Sequence, residues 1–224
     1  MDAAKRVRAT RTPPEERAAQ IAAAARTLAL AHGISALTLR NVAQEAGVTP
    51  ALVAHYAGGM DSLVARCFSA ITSEERLEVT GALGERSAPA LVRLGGLIDA
   101  VLGGSREDVT RVWVEAWALG TDNELLAAAT RAEMDAWHGA LDLLLAEILR
   151  ERGRAASGAA SPAPSPSAAP SDPTESASLA WQILGMIDGL NAQSLVRWRS
   201  TLDRTALMKR AVEGMLRLPI DSIP

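Results

Sequence analysis

TLRNVAQEAGVTPALVAHY, residues 38–56, spells two short helices joined by a tight turn. Thr38 has a hydroxyl suited to cap the first helix by accepting from a free backbone N–H. Leu39, Val42, Ala43 and Ala46 then recur at helical spacing and give that helix one apolar face. Gly47 follows where a left-handed residue commonly ends a helix. Thr49 is a natural cap for the second helix, and Pro50 fits its first position, where the missing N–H costs nothing. A short helix, a turn containing glycine and a capped second helix make a helix-turn-helix. In the second helix, about Pro50 to Tyr56, Leu52 is expected to anchor to the first. Thr49, Ala51, Val53, Ala54, His55 and Tyr56 are then free to face outward, and no acidic residue interrupts them, as suits a surface that meets phosphate. A plain helical hairpin in a helical domain has the same pattern.

The flanks favour the DNA-reading alternative. The region from Glu15 to Ile71 resembles the N-terminal domain of TetR/AcrR-family transcriptional repressors. The resemblance rests on Arg17, Ile21, Ala25, Leu28, Gly33, Thr38, Leu39, Val42, Ala43, Ala46, Gly47, Val48, Thr49, Leu52, His55, Tyr56 and Leu63, in family order and spacing. It implies an all-α chain with an N-terminal three-helix helix-turn-helix DNA-binding domain and a C-terminal helical bundle for ligand binding and dimerisation. The chain departs from the family pattern at Ala57, where Phe is usual, and at Met60, where a phosphate-contacting Lys is usual. Arg40 or the N-terminal arm is expected to compensate. The expected DNA-contacting set is Thr38, Arg40, Thr49, Pro50, Ala51, Val53, Ala54, His55 and Tyr56. Thr49, His55 and Tyr56 would fix register through phosphates, while Pro50, Ala51, Val53 and Ala54 approach base edges.

Composition agrees with an all-helical chain. Of 224 residues, 48% are hydrophobic, yet there is one Phe and one Tyr, so Ala and Leu must build the core. Both lead the helix-propensity scale. The net charge of −3 argues alone against a nucleic-acid binder, but its distribution does not. Residues 1–59 carry seven basic groups (Lys5, Arg6, Arg8, Arg11, Arg17, Arg26, Arg40) against four acidic ones, and the remainder 16 against 22. A basic end on an acidic body suits a protein that presents one end to DNA. The single Cys67 excludes an internal disulfide and reads as a buried structural thiol. No signal peptide or membrane span is visible, so the cytoplasm is the expected compartment.

The expected organisation is a disordered basic arm at 1–13, the helix-turn-helix domain at 14–58 and the ligand-binding and dimerisation domain at 59–224. A helix from about Glu15 to His32 is stopped by Gly33. Gly58-Gly59 precede a helix from near Asp61 to about Thr80, broken by Gly81 and Gly84. In the family this helix links reading head and body. Further helices are expected near 89–102, 106–119, 123–152, 174–200 and from Asp203. Residues 153–173 hold seven Ala, five Ser and five Pro and read as a disordered linker.

The last two helices look like the dimer-forming pair of the TetR fold. Gly185, Gly189, Ala192, Val196, Met208, Ala211, Val212 and Met215 are the expected interface, with packing inside one chain as the alternative. The stretch WQILGMIDGLNAQSLV, with WVEAWALG earlier, is similar to the choline-responsive BetI-type subgroup. Candidate ligand-binding residues are Trp113, Trp117, Met134, Trp137, Trp181, Leu184 and Asp188, an aromatic pocket with Asp188 or Glu115 as counter-charge to a cation. The plainer reading is that Trp fills a core short of Phe and Tyr. The expected function is a homodimeric repressor of a pseudo-palindromic DNA operator, released by a small-molecule inducer. The alternative is a regulator of the same fold without an inducer, switched by a protein partner or constitutive. His32, His55 and His138 lie far apart, and neither HExxH, a phosphate-binding Gly loop nor a Ser-centred elbow is present. Neither an enzyme, a cofactor nor a metal is therefore expected.

Overall fold

A computed structural model describes residues 13–82, 88–104, 106–156 and 173–224. Among them the chain forms nine α-helices and no strand: α1 Pro14–His32, α2 Leu39–Glu45, α3 Pro50–Ala57, α4 Met60–Ala82, α5 Ala90–Leu102, α6 Glu107–Leu119, α7 Glu124–Ala156, α8 Pro173–Leu195 and α9 Arg204–Met215. The all-helical class follows from the composition, and most ends follow from the caps. Pro13 and Pro14 start α1, with Glu15 and Glu16 in the first turn, where the helix dipole favours carboxylates. Gly33, at φ 88°, ends it. Asn123 caps α7 by accepting from Leu126 N at 3.0 Å. Asp203 caps α9 by accepting from Ala206 N at 2.9 Å.

Helices α1 to α3, closed by the first half of α4, form a small head whose core joins Ile21, Ala25, Ile34, Val42, Val53, Leu63 and Phe68. The remaining helices form the body. Its core centres on Leu94, Ile98, Leu141, Leu145, Ile148, Ile183, Met208 and Val212. Helix α4 packs along α7, α7 along α8, and α6 lies between α8 and the head. The two cores are not separate. Val112, Ala116 and Leu126 of the body complete the head's core, and Trp113 packs against both.

Several expected boundaries move. Helix α4 runs through Gly81, where a break was expected, and Gly84 lies outside the described residues. Helix α7 continues through Ala156, past the expected start of the linker at Gly153. The rest of that linker up to Ser171-Asp172 lies outside the described residues, as does the basic arm before Pro13. Helix α8 ends at Leu195, short of Ser200, since Arg197 and Arg199 sit at positive φ and cannot continue it.

Candidate DNA-reading surface and ligand cavity

The head presents α3 on a rigid mount. Thr38 Oγ1 accepts from Asn41 N at 3.1 Å and Thr49 Oγ1 from Leu52 N at 3.3 Å, so both helices of the pair begin on side-chain caps. Gly47, at φ 64°, makes the turn between them, where a side chain would be strained. Gln20 of α1 donates to Ala46 O at 2.8 Å and ties that turn to the helix behind it.

The outward face of α3 differs from the expected one by a single residue. Thr38, Arg40, Thr49, Pro50, Ala51, Ala54 and His55 are exposed, and Tyr56 is half-buried with its ring edge-on to His55, centroids 5.0 Å apart. Val53 is fully buried and leaves the DNA-contacting set. Val53 and Ala57 lie one turn apart on the inner face, where both enter the head's core. Leu52, the expected anchor, is only half-buried. Ala57 fills its site with almost no exposure, and Met60 packs partly against the same core. Arg66, which the sequence reading passed over, donates to Ala57 O at 2.8 Å and to Ser62 Oγ, holding the end of α3 against α4.

Cys67 is buried, and burial pushes its thiol up to about 11. That suits a structural residue, since the thiolate is the reactive form.

In the body, a cavity of 430 Å³ lies among α4 to α8 and is lined by all seven expected ligand residues: Trp113, Trp117, Met134, Trp137, Trp181, Leu184 and Asp188. Four indoles and three carboxylates share its wall, the carboxylates being Glu75, Asp135 and Asp188. Glu75 was missed because α4 reaches the cavity only through long-range packing. Trp113 Nε1 donates to Glu75 Oε2 at 3.2 Å, and Arg106 approaches to 3.9 Å. Burial nevertheless raises the Glu75 carboxyl above its ordinary range, against the opposing pull of Trp113 and Arg106. Burial alone raises the Asp188 carboxyl to about 6. His138 Nε2 lies 2.9 Å from Ala177 O and braces α7 against α8 beside the cavity.

Glu115 is not a counter-charge in the cavity. Two residues along α6 from Trp113, it faces the opposite way and accepts from Ser35 N at 2.8 Å, in the 3-10 turn Ile34–Ala36 of the head. Arg111 donates to Ala31 O at 3.2 Å nearby. One face of α6 thus lines the cavity while the other holds the head. A second tie joins α1 to α4 through Arg26 and Glu74 at 2.5 Å. Trp113 connects the two sides, its ring edge-on to Phe68 of the head's core at 5.1 Å.

The expected dimer face also needs correction. Met208 and Val212 are fully buried inside the chain's own core and are not available to a partner. Met215 also packs partly against that core, and Ala211 is half-buried. Gly185 and Ala192 contribute to the cavity wall, although a Cβ at Gly185 or Gly189 would meet open space. Val196 is 76% exposed and Trp181 73%.

A capped helix-turn-helix built into an all-helical body with a central cavity defines a class, the two-domain DNA-binding regulators. Residues 21–67, the helix-turn-helix head with the start of α4, match the family model described as bacterial regulatory proteins, tetR family. Solved structures share the fold along nearly the whole length. A Saccharomonospora viridis protein in complex with choline is 17% identical at a TM-score of 0.68, over 91% of this chain and 96% of that one. A TetR transcription regulator from Haloarcula marismortui is 15% identical at 0.67, over 93% and 98%. The multidrug binding protein EbrR complexed with proflavin is 20% identical at 0.60, over 89% and 99%. No curated protein matches the sequence. Among the described residues no helix is long and apolar enough to cross a membrane.

Proposed function

We propose that this chain is a homodimeric repressor that binds a pseudo-palindromic operator in the cytoplasm and is released by a small molecule held in the body cavity. The observation that carries the reading is the capped α3, whose exposed face of Thr49, Pro50, Ala51, Ala54 and His55 has no carboxylate and is backed by the buried Val53. Two such helices related by a two-fold would enter successive major grooves of one duplex. The exposed side chains of Trp181, Val196 and Leu207, with the open spaces at Gly185 and Gly189, support a partner against α8 and α9. Release requires the ligand to favour one of two body arrangements over the other. The contacts of α6 with the head through Glu115 and Arg111 offer a route from cavity to head. Two of the structural neighbours are ligand complexes, with choline and with proflavin, which supports a small molecule in this cavity.

The test is footprinting of the full chain on the DNA beside its own coding region. A protected site with two-fold symmetry is expected, with affinity that falls steeply as salt rises through release of counterions. Protection without symmetry, or affinity insensitive to salt, would refute the reading.

A further inference from the structure

Building on the ligand-responsive reading, we propose that the body cavity is selective for an organic cation and that Asp188 is the counter-charge that selects it. The wall combines three indole rings enclosed in the body, the outer and largely exposed Trp181, and three carboxylates, and no Lys or Arg is among its lining residues. Indole faces attract cations through their quadrupole. An anion would meet three carboxylates, with His138 the one basic side chain in the wall.

The three carboxylates are not equivalent. Glu75 is already engaged by the Trp113 N–H and faces Arg106. Asp135 is exposed, so water solvates it. Asp188 is half-buried, and no hydrogen bond or ion pair reaches it from the described residues; burial is the cause of its raised carboxyl. Its neighbours one turn away on α8, Leu184, Gly185 and Ala192, are uncharged and line the same cavity. A half-buried carboxylate that no protein group pairs keeps part of its desolvation cost, and a cation beside it offsets that cost. A neutral ligand would instead strip away the water and leave Asp188 unpaired. The volume of 430 Å³ suits a small organic molecule.

The experiment uses three probes of similar shape that differ in charge: benzyltrimethylammonium, its carbon isostere neopentylbenzene and the anion phenylmethanesulfonate. Binding to the full-length protein is followed by tryptophan fluorescence and by calorimetry. The cation is expected to bind about tenfold or more tightly than the isostere, and the anion not measurably. Asp188→Asn should bring cation and isostere within about threefold of each other, while Asp188→Glu retains the preference. Thermal melts of both variants establish that they are folded. Equal affinity for cation and isostere, a preference that survives in Asp188→Asn, or no cation binding at millimolar concentration would overturn the proposal. Repeating the titrations on the DNA-bound protein separates the two readings. A cation that binds selectively but leaves DNA bound supports the site and refutes cation-triggered release. Release by a neutral compound, with no binding of the cation, does the reverse.

Discussion

Asp188→Asn should make the folded protein more stable at neutral pH. Burial moves the Asp188 carboxyl from 3.8 to about 6. At about 1.4 kcal/mol per pH unit that rise is worth about 3 kcal/mol, and residual exposure lowers it to about 2–3 kcal/mol. Below the unfolded value of 3.8 the carboxyl is protonated in both states, and Asp188 costs the fold nothing. As pH rises the unfolded chain ionises first, so stability falls until the folded carboxyl has ionised too, above about 6. The asparagine side chain has the same shape and never ionises. Melting temperatures of the two proteins should therefore coincide below about pH 3.8, separate between pH 3.8 and about 6, and stay apart by a constant amount above that, with the variant then higher by roughly 4–12 °C for a chain of this size. Differential scanning calorimetry across that range measures the gap directly, and groups common to both proteins, Glu75, Asp135 and His138 among them, largely cancel. A gap that does not open between pH 3.8 and about 6 would refute the claim that Asp188 ionises in a half-buried setting without a partner.

Other substitutions probe the head and the junction. His55→Ala or Tyr56→Ala should weaken binding to specific and unrelated DNA alike, measured by gel shift, since both are assigned to phosphates. Unchanged affinity would remove them from the surface. Val53→Ala should instead destabilise the protein by about 1–3 kcal/mol, read as a lower melting temperature, because it opens a space in the head's core. Thr49→Ala removes the α3 cap at about 1 kcal/mol, read by urea unfolding. Cys67 should react with an aromatic disulfide reagent only as the protein unfolds, so labelling and unfolding rates should agree in denaturant.

The features legible in the sequence were local ones. Thr38, Gly47, Thr49, Pro50 and Asp203 act through neighbours a few residues away, and the helix ends they define stand where the residue types place them. The tryptophans were legible as a group because Trp113 and Trp117 share a helix face and a core poor in Phe leaves them a large volume to fill. What failed was the choice between faces that are both apolar. Helix α3 is eight residues long and rich in Ala, so hydrophobicity could not distinguish Val53 pointing inward from Leu52 doing so. Met208 and Val212 have the same ambiguity on α9, where an apolar stripe serves a chain's own core or a partner equally well. Glu115 was a different failure. Its two-residue offset from Trp113 places it about 200° around the helix, which is decidable from periodicity alone. Glu75 was out of reach, because only the packing of α4 against α6 brings it to the tryptophans.

Gly33 bears on how interchangeable such heads and bodies are. A side chain there would fall on the Glu115 carboxylate, and its φ of 88° already excludes most residues. The glycine belongs to the helix-turn-helix head and the glutamate to the body, so each constrains what the other half can be. A hybrid that grafts this sensor onto a foreign reading module would need a residue without a Cβ at that joint, or a shorter side chain in place of Glu115. Screens of such hybrids for new biosensors should therefore sort by this pair before any property of the operator or the effector matters.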